Sequence, residues 1–154
     1  MKLTTRGHYS VKALLDLSLQ PTGSLSSVRQ IAKRQQLPAP YLEKLLIELR
    51  RSHLIDSVRG AKGGYRLAKP PAQISLGQIL EAVGESASSV TMQRPSASTP
   101  SSTPSQAEDW VTSMLWNRLN QKLQEAFHSI TLEDLYYDAR SWQAAQGEGA
   151  SFVV

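Results

Sequence analysis

Two groups of residues in this chain have the chemistry to act on a polyanion. The run Arg59-Gly60-Ala61-Lys62-Gly63-Gly64 sets two cations among glycines, where the backbone can turn tightly and approach a partner closely. Tyr41, Glu43 and Lys44 place a phenol, a carboxylate and an ammonium within one helical turn. These groups suit reading base edges: Lys44 can donate to guanine O6 or N7, and Glu43 can accept from cytosine N4. Glu43 could equally pair with a neighbouring lysine. Arg6, Arg29, Lys33, Arg50 and Arg51 are cations suited to neutralising phosphates, as is Lys62 in the glycine run. Backbone N–H groups at Ser27 and Val28, at a helix start, could join them. Any one of these cations could instead belong to a solvated face.

The elements that must position these groups follow from periodicity and capping. Thr4 or Thr5 caps a first helix over about residues 6–20, whose apolar face is Tyr9, Val11, Ala13, Leu14, Leu17 and Leu19. Gln20-Pro21-Thr22-Gly23 stops it. Ser27 and Gln30 form a capping box for a helix near 27–36, with Val28, Ile31 and Ala32 facing inward. Leu37-Pro38-Ala39-Pro40 makes a turn into a helix of about 40–52, where Leu42, Leu45, Leu46 and Leu49 form the buried stripe. Glu43, Lys44, Ile47, Arg50 and Arg51 then face outward. Two short strands, 54–58 and 65–68, flank the glycine-rich turn. Ser75 and Gln78 open a further helix to about Val83, ended by Gly84.

Helix, tight turn, helix, then a basic hairpin is the order of a winged helix-turn-helix. That shape fits its second helix into a DNA major groove and sets the hairpin tip on the neighbouring backbone or minor groove. Beyond it, residues 86–107 are mostly Ser, Thr, Pro and Ala and read as a flexible or irregular linker. A long helix is expected from a capping box at Ser105 and Glu108 to about residue 129. Its stripe is Val111, Leu115, Leu119, Leu123 and Phe127, widened by Trp110, Met114 and Trp116. A stripe of that length needs a partner, on its own first helix, on a second subunit or on both; homodimerisation through it is expected, because readers of this shape bind two half-sites. Thr131 and Asp134 cap a last helix of about 132–142, followed by a loose tail from 144 to 154.

Composition narrows the classes. The chain has 154 residues, a net charge of +4 and no cysteine, which removes disulfides, cysteine nucleophiles and thiolate metal sites. Residues 1–85 hold thirteen Lys and Arg against six Asp and Glu, whereas 86–154 hold four against seven. A basic reader joined to an acidic assembly segment would show this asymmetry. No apolar stretch approaches the roughly 20 residues of a membrane span, and the first residues lack the apolar run of a secretory leader. A cytoplasmic protein with no membrane partner is the expectation. His8, His53 and His128 fall in separate elements, and no nucleophile elbow, phosphate loop or metal-spaced cluster is present. No enzyme is expected.

The opening MKLTTRGHYSVKALLDLSL, the run IAKRQQLPAPYLEKLLIELRRSHLIDSVRGAKGGYRLAKP, and LGQILEAV resemble the Rrf-two (Rrf2) family of bacterial transcription regulators. The resemblance is close over about residues 1–85. It continues in LWNRLNQKLQEAFHSITLEDL, which resembles the family's dimerisation helix. It implies a homodimer, the 40–52 helix in the major groove and Arg59 entering the minor groove. The family commonly writes its wing R-G-P-G-G-G-Y, and this chain departs from it with Ala61 and Lys62. Iron–sulfur members hold their cluster with three cysteines between the post-wing helix and the long helix; the corresponding stretch here has none, so no cofactor is expected.

These readings combine into a mainly α fold with a small β-hairpin: a winged helix-turn-helix domain over 1–85, a linker over 86–107 and a dimerisation helix with a short C-terminal helix over 108–143. The expected function is a sequence-specific regulator, a repressor, acting as a homodimer on palindromic double-stranded DNA. Its signal would be a small-molecule or protein effector. The alternative is a winged-helix interaction module that docks a metabolic enzyme.

Overall fold

The computed structural model describes residues 3–85 and 106–151. Among these residues, six α-helices and one small antiparallel hairpin follow in order: α1 (Thr5–Leu19), α2 (Val28–Gln35), α3 (Ala39–Arg51), β1 (Ile55–Val58), β2 (Gly64–Leu67), a single 3-10 turn (Pro71–Gln73), α4 (Leu76–Ala82), α5 (Ala107–Ser129) and α6 (Leu132–Ser151). The mainly α architecture with one small hairpin is as expected.

Local chemistry sets most boundaries. Thr4 caps α1 by accepting from the Gly7 N–H. Ser27 and Gln30 close the full capping box of α2, the Ser27 Oγ accepting from the Gln30 N–H at 3.2 Å and the Gln30 Oε1 from the Ser27 N–H at 2.8 Å. Ser75 and Gln78 do the same for α4, and Thr131 and Asp134 for α6. Ser27→Ala leaves the Gln30 N–H without its side-chain acceptor. It is expected to cost about 1 kcal/mol, read as a lower midpoint in urea unfolding with an unchanged slope.

The core lies where α1, α2, α3 and α4 meet the base of the hairpin. Leu42, Leu45, Leu46 and Leu49 of α3 are wholly buried, together with Ala13, Leu14, Ile31, Ile74 and Ile79. The predicted α3 stripe is therefore its inward face, which leaves the opposite face free to project. Tyr9 and Tyr41 meet edge to face at 5.8 Å between ring centroids and fasten the start of α3 to α1. Leu132 is buried in the same core. The corner between α5 and α6 is stitched to α4 by two backbone bonds, Leu76 N–H to Ile130 O at 2.8 Å and Leu132 N–H to Ile74 O at 2.7 Å.

Three expectations require correction. α6 runs to Ser151, so the segment from 144 to 151 is helical and not a loose tail. Gln143-Ala144-Ala145-Gln146 are strong helix formers with no proline to stop them, and Gly147 near the end costs only about 1 kcal/mol. Residues 152–154 lie outside the described residues. The N-cap of α5 is Gln106, without a side-chain capping bond; Ser105, the expected cap, lies outside the described residues, as does the 86–105 part of the linker. Phe127, expected at the dimer interface, is 5 % exposed and packs on Leu80 of its own chain. One turn of α5 faces α4 there, so the expected stripe is divided into a buried part and an exposed part.

Candidate nucleic-acid interface

The wing is a hairpin in strict register, Ile55 opposite Leu67 and Val58 opposite Gly64. Its tip is closed by the Gly63 N–H donating to the Gly60 carbonyl at 2.9 Å. Gly60 has φ +118°, a conformation that side-chain-bearing residues rarely adopt. A Cβ on Gly63 would lie 2.1 Å from the Val58 carbonyl oxygen, and one on Gly64 2.7 Å from the Ser26 backbone. The glycines thus serve two tasks: Gly60 and Gly63 make the turn, and Gly64 admits a third backbone segment. That segment is Ser26, which exchanges two bonds with Tyr65, at 3.0 and 2.8 Å. The wing is thereby joined directly to the residue before the α2 cap. Arg59, Ala61 and Lys62 are left exposed at the tip.

On α3, Glu43 and Lys44 are exposed and Tyr41 is half-buried, its ring occupied by the contact with Tyr9. Arg29 and Lys33 project from α2, and Arg50 and Arg51 from the end of α3. Arg29, Lys33, Lys44, Arg51, Arg59 and Lys62 form no ion pair among the described residues. Arg50 donates to Ser57 Oγ at 3.1 Å, which ties the end of α3 to β1. At the start of α2, the Ser27 and Gln30 N–H groups are taken by the capping box; those of Val28 and Arg29 remain outward donors of the helix end.

Arg6 departs from its expected role. Its guanidinium pairs with Glu48 and donates from Nε to the Val83 carbonyl at 2.7 Å. It clamps α1 to α3 and to the end of α4, so its charge is spent inside the chain. A second ion pair was not among the sequence-based expectations. Asp16, 2 % exposed, receives the Arg34 guanidinium in a forked contact at 2.7–3.2 Å. This hydrogen bonding raises the Arg34 pKa above its ordinary value. An aspartate on the buried side of α1, two positions from Leu14, was the only available clue.

On α5, Trp110, Val111, Met114, Leu115 and Leu119 are 43–56 % exposed, whereas Leu123 is partly covered beside Phe127. No described helix is long and apolar enough to cross a membrane.

Comparison with known proteins places this architecture. Residues 3–138 match the family model Rrf2, described as an iron-dependent transcriptional regulator. The provisionally named HTH-type transcriptional regulator slr0846 of Synechocystis sp. is 58 % identical over 154 residues, the whole of both chains. The HTH-type transcriptional regulator IscR of Cereibacter sphaeroides is 37 % identical over 137 residues, 88 % of this chain and 86 % of that one. Among solved structures, T. potens IscR superposes with a TM-score of 0.70 at 36 % identity, covering 93 % of this chain and 91 % of its own. CymR of B. subtilis, described as its global cysteine regulator, gives 0.72 at 30 % identity, covering 89 % and 97 %.

The iron in the family's description finds no thiolate in this chain. Iron–sulfur clusters require thiolates, and the sequence contains no cysteine. His8 lies on α1, His53 follows α3 and His128 ends α5. Among the described residues no three His, Asp or Glu side chains gather as metal ligands would. In fold and over nearly its whole length, the chain belongs to the Rrf2 family of DNA-binding transcriptional regulators.

Proposed function

We propose that the chain is a homodimeric repressor that reads a palindromic operator without an iron–sulfur cluster. In this reading the exposed face of α3 enters the major groove, with Glu43 and Lys44 at base edges. Arg59 enters the minor groove, and Arg29, Lys33, Arg51 and Lys62 neutralise phosphates. Tyr41 supports the start of α3 and reaches DNA only by its outer edge. Arg50 contributes charge from a position held by Ser57. The carrying observation is the set of exposed cations on α2, α3 and the wing that form no ion pair among the described residues, borne on elements that turn other residues into the core.

Dimerisation is supported by the exposed part of the α5 stripe, from Trp110 to Leu119. Two copies would then set their α3 helices into half-sites roughly one DNA turn, about 34–36 Å, apart. Repression follows from a dimer occupying promoter DNA, with a small molecule or a partner protein as its signal. The enzyme class has no support in this arrangement.

The test is selection of bound fragments from genomic DNA by the purified chain, then titration of the best fragment over a range of salt. A palindromic preference is expected, with affinity falling steeply as roughly 6–10 phosphate contacts release their counterions. Equal affinity for selected and scrambled DNA would remove the operator from this reading. Added transcription in a reconstituted reaction, in place of loss, would remove repression.

A further inference from the structure

Arg34 sits in the last turn of α2 among the other cations, and on charge alone it would be counted with the phosphate contacts. Its geometry says otherwise. The guanidinium is forked onto Asp16, Nε at 3.0 Å from Oδ1 and Nη2 at 2.7 Å from Oδ2. The same Nη2 donates to Ser26 Oγ at 2.8 Å. Gln35 adds a bond from Nε2 to Asp16 Oδ1 at 2.8 Å, and Lys12 of α1 donates to the Gln35 carbonyl at 2.9 Å. Asp16 and Ser26 are 2 % and 3 % exposed.

Ser26 is also the residue whose backbone pairs with Tyr65 of the wing. Two different groups of Ser26 therefore hold two different elements: its hydroxyl holds α2 through Arg34, and its N–H and C=O hold β2. Tyr65 in turn lies opposite Ser57 in the hairpin that carries Arg59 at its tip. A continuous series of directional contacts runs from α1 through Arg34 and Ser26 to the wing. Buried ion pairs contribute little net stability compared with apolar residues of similar shape. What a forked guanidinium supplies is a fixed direction.

We propose that Arg34, oriented by Asp16, is a positioning residue that fixes the wing relative to the α2–α3 pair through Ser26, and does not itself touch DNA. The inference rests on the reading that Arg59 at the wing tip contacts the operator. It adds a requirement that the wing be held at one angle, set from α1, for that contact to form.

The experiment is a double-mutant cycle on operator affinity in the full-length chain. One arm combines Arg59→Ala with Ser26→Ala, which removes the hydroxyl and keeps the backbone pairing. The other combines Arg59→Ala with the paired change Asp16→Asn and Arg34→Gln, which removes both charges together and leaves no lone buried ion. Cooperative unfolding is checked for each, and Ser26→Ala carries the test should the paired variant fail to fold. In the native background Arg59→Ala is expected to weaken binding tenfold or more; in either altered background its effect should shrink to about threefold or less. With Arg59→Ala and Lys62→Ala already in place, so that the wing cations are gone, adding the paired change should leave the salt slope unaltered, because a lost phosphate contact would lower that slope by about 0.9 per protomer.

Full additivity, with Arg59→Ala costing the same tenfold in every folded background, overturns the proposal and reduces the network to scaffolding. A further fall in the salt slope when the paired change is added to that wing-neutralised background overturns it by making Arg34 a phosphate contact. If Arg59→Ala has no effect even in the native background, the failure lies with the wing reading, and the positioning role falls with it.

Discussion

Replacing Leu115 and Leu119 together by aspartate is expected to produce a folded monomer that has lost operator binding by a hundredfold or more. Both side chains lie on the exposed side of α5, at 48 % and 43 % exposure, and neither belongs to the internal core. Unfolding of the single chain should therefore be little altered. In the proposed dimer each leucine, already about half covered, would be covered further by a second copy, which is worth roughly half of the 1.5–3 kcal/mol of complete burial per side chain. Four aspartates in place of four leucines would reverse that sign and add like-charge repulsion. Once monomeric, each wing domain binds its half-site alone and loses the gain of linked binding, about 10²–10⁴. Sedimentation velocity and anisotropy on the selected operator read both parts. A variant that still sediments as a dimer would move the interface away from this face of α5.

Arg59→Ala is the second large expected effect. The residue stands exposed at a turn whose shape is imposed by Gly60 and Gly63, so alanine there should leave the hairpin intact. A guanidinium entering a narrow minor groove gains from the enhanced negative potential of A·T-rich DNA. Its loss should cost ~1–3 kcal/mol, a tenfold or greater weakening on the operator. Arg59→Lys should recover only part, since an ammonium lacks the flat fork of the guanidinium. The loss should also be smaller on an operator whose flanking A·T pairs are exchanged for G·C. Affinity unchanged at moderate salt would take Arg59 out of the interface.

Caps and stripes were legible because they are local. Ser27 with Gln30, Ser75 with Gln78, and Thr131 with Asp134 each act within one turn, so four positions of sequence contain the whole interaction. The stripe Leu42, Leu45, Leu46 and Leu49 needs only the helical period to be read. The wing glycines were legible as a turn, but the reason for Gly64 was not. Its small size serves Ser26, thirty-eight positions earlier.

Charged residues divided along the same line. Arg29, Lys33, Lys44, Arg51, Arg59 and Lys62 were read as outward cations and stand outward. Arg6 and Arg34 carry the same charge on the same domain, yet each is held by an acidic residue from another helix, Glu48 and Asp16. Composition cannot separate the two kinds, because a cation's availability depends on which carboxylate folding brings beside it. Phe127 and Leu119 illustrate the apolar version: they share one helical stripe, and only the docking of α4 against α5 buries the first and leaves the second exposed.

What the sequence by itself determined is the order of elements, the inward face of each helix and the basic glycine turn, since capping, periodicity and backbone freedom all act over a few neighbouring residues. Only the tertiary structure decided which cations are spent internally and that the wing is tied through Ser26 to α2. Those outcomes depend on pairs such as 16 with 34, 6 with 48 and 26 with 65. Contacts between residues so far apart in the chain exist only after the helices have packed.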